Sequence, residues 1–129
     1  MKLGIVIPSH EHQDSLDKVI DAIPAGLRPG VFVVDDGSNT PLRASAVNLI
    51  SHGQNRGYGA AQKTGYRAAL QWGADAVAMI HGDHQYSPST ILAAAKLLEG
   101  HDLLLGSRFL ERNGRGIPWW RWSGNRLLT

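Results

Sequence analysis

Two acidic turns carry the chemistry of this chain. Asp35 and Asp36 follow the apolar run Val31-Phe32-Val33-Val34 and lead into Gly37-Ser38. About 45 residues later, His81-Gly82-Asp83 leaves a second apolar run, Val77-Ala78-Met79-Ile80. In a parallel sheet such turns lie at the carboxyl edge, where open α/β sheets hold their ligands. A strand-end aspartate accepts hydrogen bonds from a ribose hydroxyl or a base imide N–H, and the glycine after it permits a tight turn with positive φ. A hard divalent cation needs only one or two protein carboxylates when substrate phosphates and water complete its octahedron, so Asp83 alone can be that ligand. Imidazoles at His81 and His84 suit contact with the ligand or with Mn²⁺. The same residues also fit plain turns in which Asp caps backbone groups.

Other polar clusters are less specific. Gly53-Gln54-Asn55-Arg56-Gly57-Tyr58-Gly59 precedes a helical pattern, so backbone N–H groups around Gly57 can face an anion. The segment matches neither the dinucleotide glycine motif nor the phosphate loop. His10-x-His12 lacks a further ligand, and the six histidines have no zinc-site spacing.

Several elements must position these turns. Residues 3–8 and 31–35 read as buried strands, 46–51 as a shorter one, 76–81 as a fourth and 103–106 as a fifth. Helical patterns cover 14–23, stopped by Pro24, then 57–72, rich in small residues, and 88–98, started by Ser87-Pro88. Near-continuous apolar strands alternating with helices predict a mostly parallel sheet with helices on both faces. The division expected is an α/β ligand-binding unit over 1–107, followed by a loop and helix over 108–129. No further βα unit follows, so the sheet reads as incomplete at the C-terminus.

Composition bounds the rest. At 129 residues and 43% hydrophobic, the chain is one domain with a real core. It has no cysteine, which excludes disulfides and thiolate metal sites and fits a reducing compartment. No apolar run approaches the roughly 18 residues of a membrane span, and no secretory signal is visible. The net charge is only +2, yet residues 108–129 hold five arginines against one acid, Glu111, with Trp119, Trp120 and Trp122. Such a tail suits phosphate or a membrane interface.

The ordered set Pro8-Ser9-His10-Glu11, VVDDGS, NRGYGAAQKTGYRAAL, HGDHQYSP and LLLGSRF resembles the family 2 glycosyltransferases, most closely their dolichol-phosphate mannosyltransferase-like branch. The resemblance covers nearly the whole chain. It implies a Rossmann-like GT-A fold, a nucleoside diphosphate sugar donor, Mg²⁺ or Mn²⁺, and inverting transfer of the sugar. It places Pro8, Ser9 and His10 along the nucleotide pocket and Asp36, with Asp35 beside it, on base and ribose. Asp83 matches the last carboxylate of the family's Asp-x-Asp, which binds the metal. Arg108 and Arg121 resemble the pair that meets the acceptor phosphate of a polyprenyl lipid. Guanidinium forks suit that partner. A cytoplasmic location at the inner membrane face follows from the same likeness.

Three departures stand out. His81 replaces the first Asp of Asp-x-Asp, His10-Glu11-His12 stands where Tyr-Asn-Glu is common, and the acidic segment that the family carries further on is missing before Thr129. The competing expectation is therefore a donor-binding portion that does not catalyse transfer. An unfinished sheet edge would expose apolar surface and favour self-association. A phospho-receiver fits poorly, because its acidic pair follows the first strand, and here that strand ends in Pro8-Ser9-His10. Aromatics confined to one short segment argue against a nucleic-acid partner.

Overall fold

The computed structural model describes residues 1–83, 88–98 and 100–106. The expected arginine pair Arg108 and Arg121, His84, and the whole 108–129 unit lie outside the described residues. Four strands, β1 (Leu3–Ser9), β2 (Val31–Asp35), β3 (Asn48–Ser51) and β4 (Ala76–Met79), form one sheet in the order β3-β2-β1-β4. Every pairing is parallel, with Ser9 beside Asp35 and Asp35 beside Ser51 at the carboxyl edge. The helices are α1 (Gln13–Asp21), α2 (Tyr58–Gln71) and α3 (Ile91–Leu97).

Alternation along the central strands sends side chains to both faces. Ile5, Ile7, Val31 and Val33 pack with Leu16, Val19 and Ile20 of α1 and with Ile91 of α3. Val6 and Phe32 face the other way, onto Ala69 and Tyr66 of α2 and Trp72 just after it. The two-faced parallel sheet expected from the sequence is thus present. Small residues set how closely α2 lies on it. A Cβ on Gly4 would come 2.8 Å from the Ala69 methyl, and one on Gly65 would run into Val6.

Several elements differ from the sequence reading, and some of these differences have a local reason. The strand expected from residue 46 starts at Asn48, because Ala46 has φ 60° and cannot join a pleated strand. The first helix ends at Asp21, and a 3-10 turn, Ala25–Gly30, fills the gap before β2. The 88–98 helix opens with a 3-10 turn, Pro88–Thr90. The fifth strand expected over 103–106 is not formed: these residues pair with no strand among the described residues, and Leu103 and Leu105 are 71% and 77% exposed. An apolar run becomes a strand only where a neighbour takes up its backbone polar groups.

Candidate functional site

The carboxyl edge of the sheet holds an open cleft of about 270 Å³. Pro8, Ser9 and His10 line it from the end of β1, Asp36 from β2, and His81, Gly82 and Asp83 from the turn after β4. Asn55, Tyr58 and Ala61 contribute from the start of α2 and the loop before it, and His12 completes the wall. Of the nucleotide-site residues expected from the sequence, Pro8, Ser9, His10, Asp36, His81 and Asp83 are therefore brought together. Asp35 and Gly57 do not line the cleft.

The two adjacent aspartates have separated roles. Of the pair, Asp36 meets the cleft and Asp35 does not. Asp35 turns inward: Oδ1 accepts from Ser38 N–H at 3.0 Å and Ser38 Oγ–H at 2.6 Å, and Oδ2 accepts from Leu42 N–H at 3.0 Å. Burial raises the pKa of its carboxyl, but these hydrogen bonds outweigh it and hold the value below the ordinary one. Asp35 closes the turn that presents Asp36.

Asp36 is anchored by its own set of partners. Its backbone N–H donates to Ser9 O at 2.9 Å, continuing the ladder one step beyond the strands. Its Oδ1 accepts from His52 Nδ1–H at 2.6 Å and from Arg56 N–H at 3.0 Å. Burial again raises the pKa, and the bonds from His52, Arg56 and Gly57 bring the net value below normal, so the carboxylate stays ionised. Gly37, at φ 70°, lets the chain turn here while the Gln54-Asn55 backbone passes directly over it.

Histidines supply most of the remaining polar lining. His10 Nδ1 lies 3.1 Å from Asp36 O, and a carbonyl only accepts, so Nδ1 carries the proton. In the neutral ring Nε2 then accepts from Asn55 Nδ2–H at 3.4 Å. His81 stacks on Tyr58 with centroids 5.3 Å apart and planes 4° from parallel, and the Tyr58 hydroxyl lies 3.3 Å from both His81 Nε2 and Met79 Sδ. Ser9 Oγ is buried without a hydrogen-bond partner, and a Cβ on Gly82 would stand 2.8 Å from it.

Asp36 and Asp83 are the two carboxylates of the described lining, which contains no lysine or arginine. An anionic diphosphate in this cleft would need a cation from elsewhere. Among the described residues no group of three or more His, Cys, Asp or Glu side chains could hold a metal unaided. The exposed Asp83 does fit a cation shared with substrate phosphates, because Mg²⁺ is commonly held by one or two carboxylates plus phosphate and water.

The model of the family described as "Glycosyl transferase family 2" matches residues 4–128. The chain belongs to that family. It is similar to an uncharacterized protein of Methanocaldococcus jannaschii, 27% identical over 118 residues, which are 87% of this chain and 49% of that one. It is also similar to a UDP-N-acetylglucosamine–dolichyl-phosphate N-acetylglucosaminyltransferase of Methanococcus voltae. That match is 24% identical over 149 aligned positions, covering 97% of this chain and 59% of the relative. The chain thus spans about half to three fifths of the curated relatives it matches.

One buried residue of this site carries no sequence signal. His52 follows the short β3 and belongs to no motif, yet its side chain is only 6% exposed and it binds Asp36. Only the parallel register that sets Ser51 beside Asp35 brings it there.

Proposed function

We propose that this domain is a glycosyltransferase unit that binds a nucleoside diphosphate sugar in the cleft and transfers the sugar with inversion. The observation that supports this most is the position of two carboxylates at the carboxyl edge of one parallel sheet, Asp36 after β2 and Asp83 after β4. Asp36, held ionised, accepts from the nucleoside. Pro8 and His10 wall the nucleoside side, and His81, fixed by its stack on Tyr58, stands on the phosphate side. Asp83 would hold Mg²⁺ or Mn²⁺ together with the diphosphate. When bound, that cation would supply Lewis-acid stabilisation of the leaving group, a role fitting a lining with no lysine or arginine among the described residues.

The acceptor in this reading is a polyprenyl-type lipid phosphate, engaged by Arg108 and Arg121. The name of the Methanococcus voltae relative, which includes dolichyl phosphate, supports that acceptor class. An acceptor that is already a phosphate needs little help from a general base. The reading puts the domain at the cytoplasmic membrane face as a peripheral protein. No helix among the described residues is long and apolar enough to cross a membrane.

Calorimetric titration of UDP, GDP and their sugars, with and without Mn²⁺, tests the proposal. Mn²⁺-dependent binding of at least one of them is expected, and Asp83→Asn should abolish the dependence on Mn²⁺ without unfolding the chain. Failure of every nucleotide to bind would refute it. Binding without transfer or donor hydrolysis would instead select a donor-binding module.

A further inference from the structure

His52 is the buried titratable group that the donor site leaves without a role. Its imidazole bridges three segments. Nδ1–H donates to Asp36 Oδ1 beyond β2 at 2.6 Å, its backbone N–H donates to Asp35 O at 2.8 Å, and Nε2 meets Thr64 Oγ1 on α2 at 3.0 Å. The Asp36 and His52 side chains are each only 6% exposed, so water competes little for these bonds. With Nδ1 protonated, Nε2 of the neutral ring accepts from the Thr64 hydroxyl, and every polar atom of the ring is used.

Such a chain fixes more than the ring. A free aspartate samples several rotamers, and a ligand that needs one of them loses affinity in selecting it. Here Oδ1 is occupied by His52 and by Arg56 N–H, which sets the carboxylate plane. Thr64, on a helix packed against β1 and β2, sets the plane of the imidazole. Partners behind a binding group orient it in the same way at metal sites, where losing one costs much of the affinity.

We propose that His52 is a positioning residue, which through the Asp36–His52–Thr64 line holds the Asp36 carboxylate in the orientation that receives the nucleoside. This rests on the donor-site reading above. The ring does not touch the ligand. It supplies a donor to Oδ1, so a side chain that keeps a donor there should keep the function. Asparagine does so, since its amide nitrogen falls near the place of Nδ1, whereas alanine leaves a buried carboxylate short of a partner.

The experiment is calorimetric titration of UDP and GDP, in the presence of Mn²⁺, into the wild-type chain and its variants, with far-UV circular dichroism as the check on folding. Wild-type binding comes first, and its absence would refute the donor reading itself, before any substitution is made. Given that binding, His52→Ala should weaken it by about tenfold or more, the loss expected when a charged group gives up a hydrogen bond. His52→Asn should stay within about threefold of wild type, because it still donates to Asp36. A folded His52→Ala that binds as wild type, or a His52→Asn that loses as much as alanine, would overturn the role. If His52→Ala does not fold, Thr64→Val decides. It removes only the Nε2 contact and should weaken binding about threefold at unchanged helicity, and unchanged affinity would overturn the proposal.

Discussion

Replacing Gly37 with alanine perturbs the turn that presents Asp36, and the structure allows its cost to be worked out. The residue sits at φ 70°, where a side chain with Cβ costs about 1–2 kcal/mol. The new methyl group would also run into Gln54 C and Asn55 N and stand 2.7 Å from Gln54 Cα, all backbone atoms that cannot swing aside. Overpacking of that kind costs about 1–3 kcal/mol. The stiffer unfolded chain returns about 0.4–1 kcal/mol. The net is a destabilisation of about 1–5 kcal/mol, or a fall in melting temperature of roughly 4–20 °C for a domain of this size. Gly53 provides the control, because no atom lies within 4 Å of a Cβ there and its φ is ordinary. Gly53→Ala should be neutral or slightly stabilising. Melting followed by circular dichroism compares the two. If Gly37→Ala melts within about 2 °C of Gly53→Ala, the loop crossing does not constrain the turn and the reasoning fails.

Two further outcomes follow from packing and charge. Both Asp35 and Asp36 have folded-state pKa values below the ordinary 3.8, so their stabilisation is fully present above the unfolded value and is lost as pH falls through the folded one. Stability measured by urea denaturation should therefore drop with acid below about pH 4, and Asp35→Asn should make that acid slope shallower. On α2, Gly65→Ala gains about 1 kcal/mol of helix propensity but presses on Val6 and on Val34 Cγ2 at 3.3 Å, so a net loss of about 0.5–2 kcal/mol is expected. Gly59→Ala on the same helix meets nothing within 4 Å and should stabilise by about 0.5–1 kcal/mol. Equal melting temperatures for these two variants would refute the close-packing account.

What the sequence disclosed followed the range of the interactions concerned. β2 was legible to the residue, because a short apolar run ending in Asp-Asp-Gly carries its own boundaries. Asp36 and Asp83 are legible as cleft residues because a strand end and the turn after it are local patterns, whereas Pro8 is implied only by the family resemblance. Asp35 reads from the sequence as sharing the nucleoside, whereas the structure has both of its oxygens taken by Ser38 and Leu42, so it closes the turn. His52 stayed hidden because its role depends on strand pairing 16 residues away in sequence. The run 103–106 reads as a strand yet forms none for the same reason: apolar composition is local, whereas strand formation needs a partner.

The cleft draws its walls from residues 8–12, from Asp36, from 55–61 and from 81–83, segments joined only through the folded sheet. The site thus exists only in the folded sheet. A ligand held there must therefore raise the melting temperature of the whole domain, by an amount equivalent to about 2.7 kcal/mol at a hundred times its dissociation constant. Heat becomes a reporter of chemistry: a melting screen across nucleoside diphosphates, with and without divalent cations, would identify the preferred base before any acceptor is known.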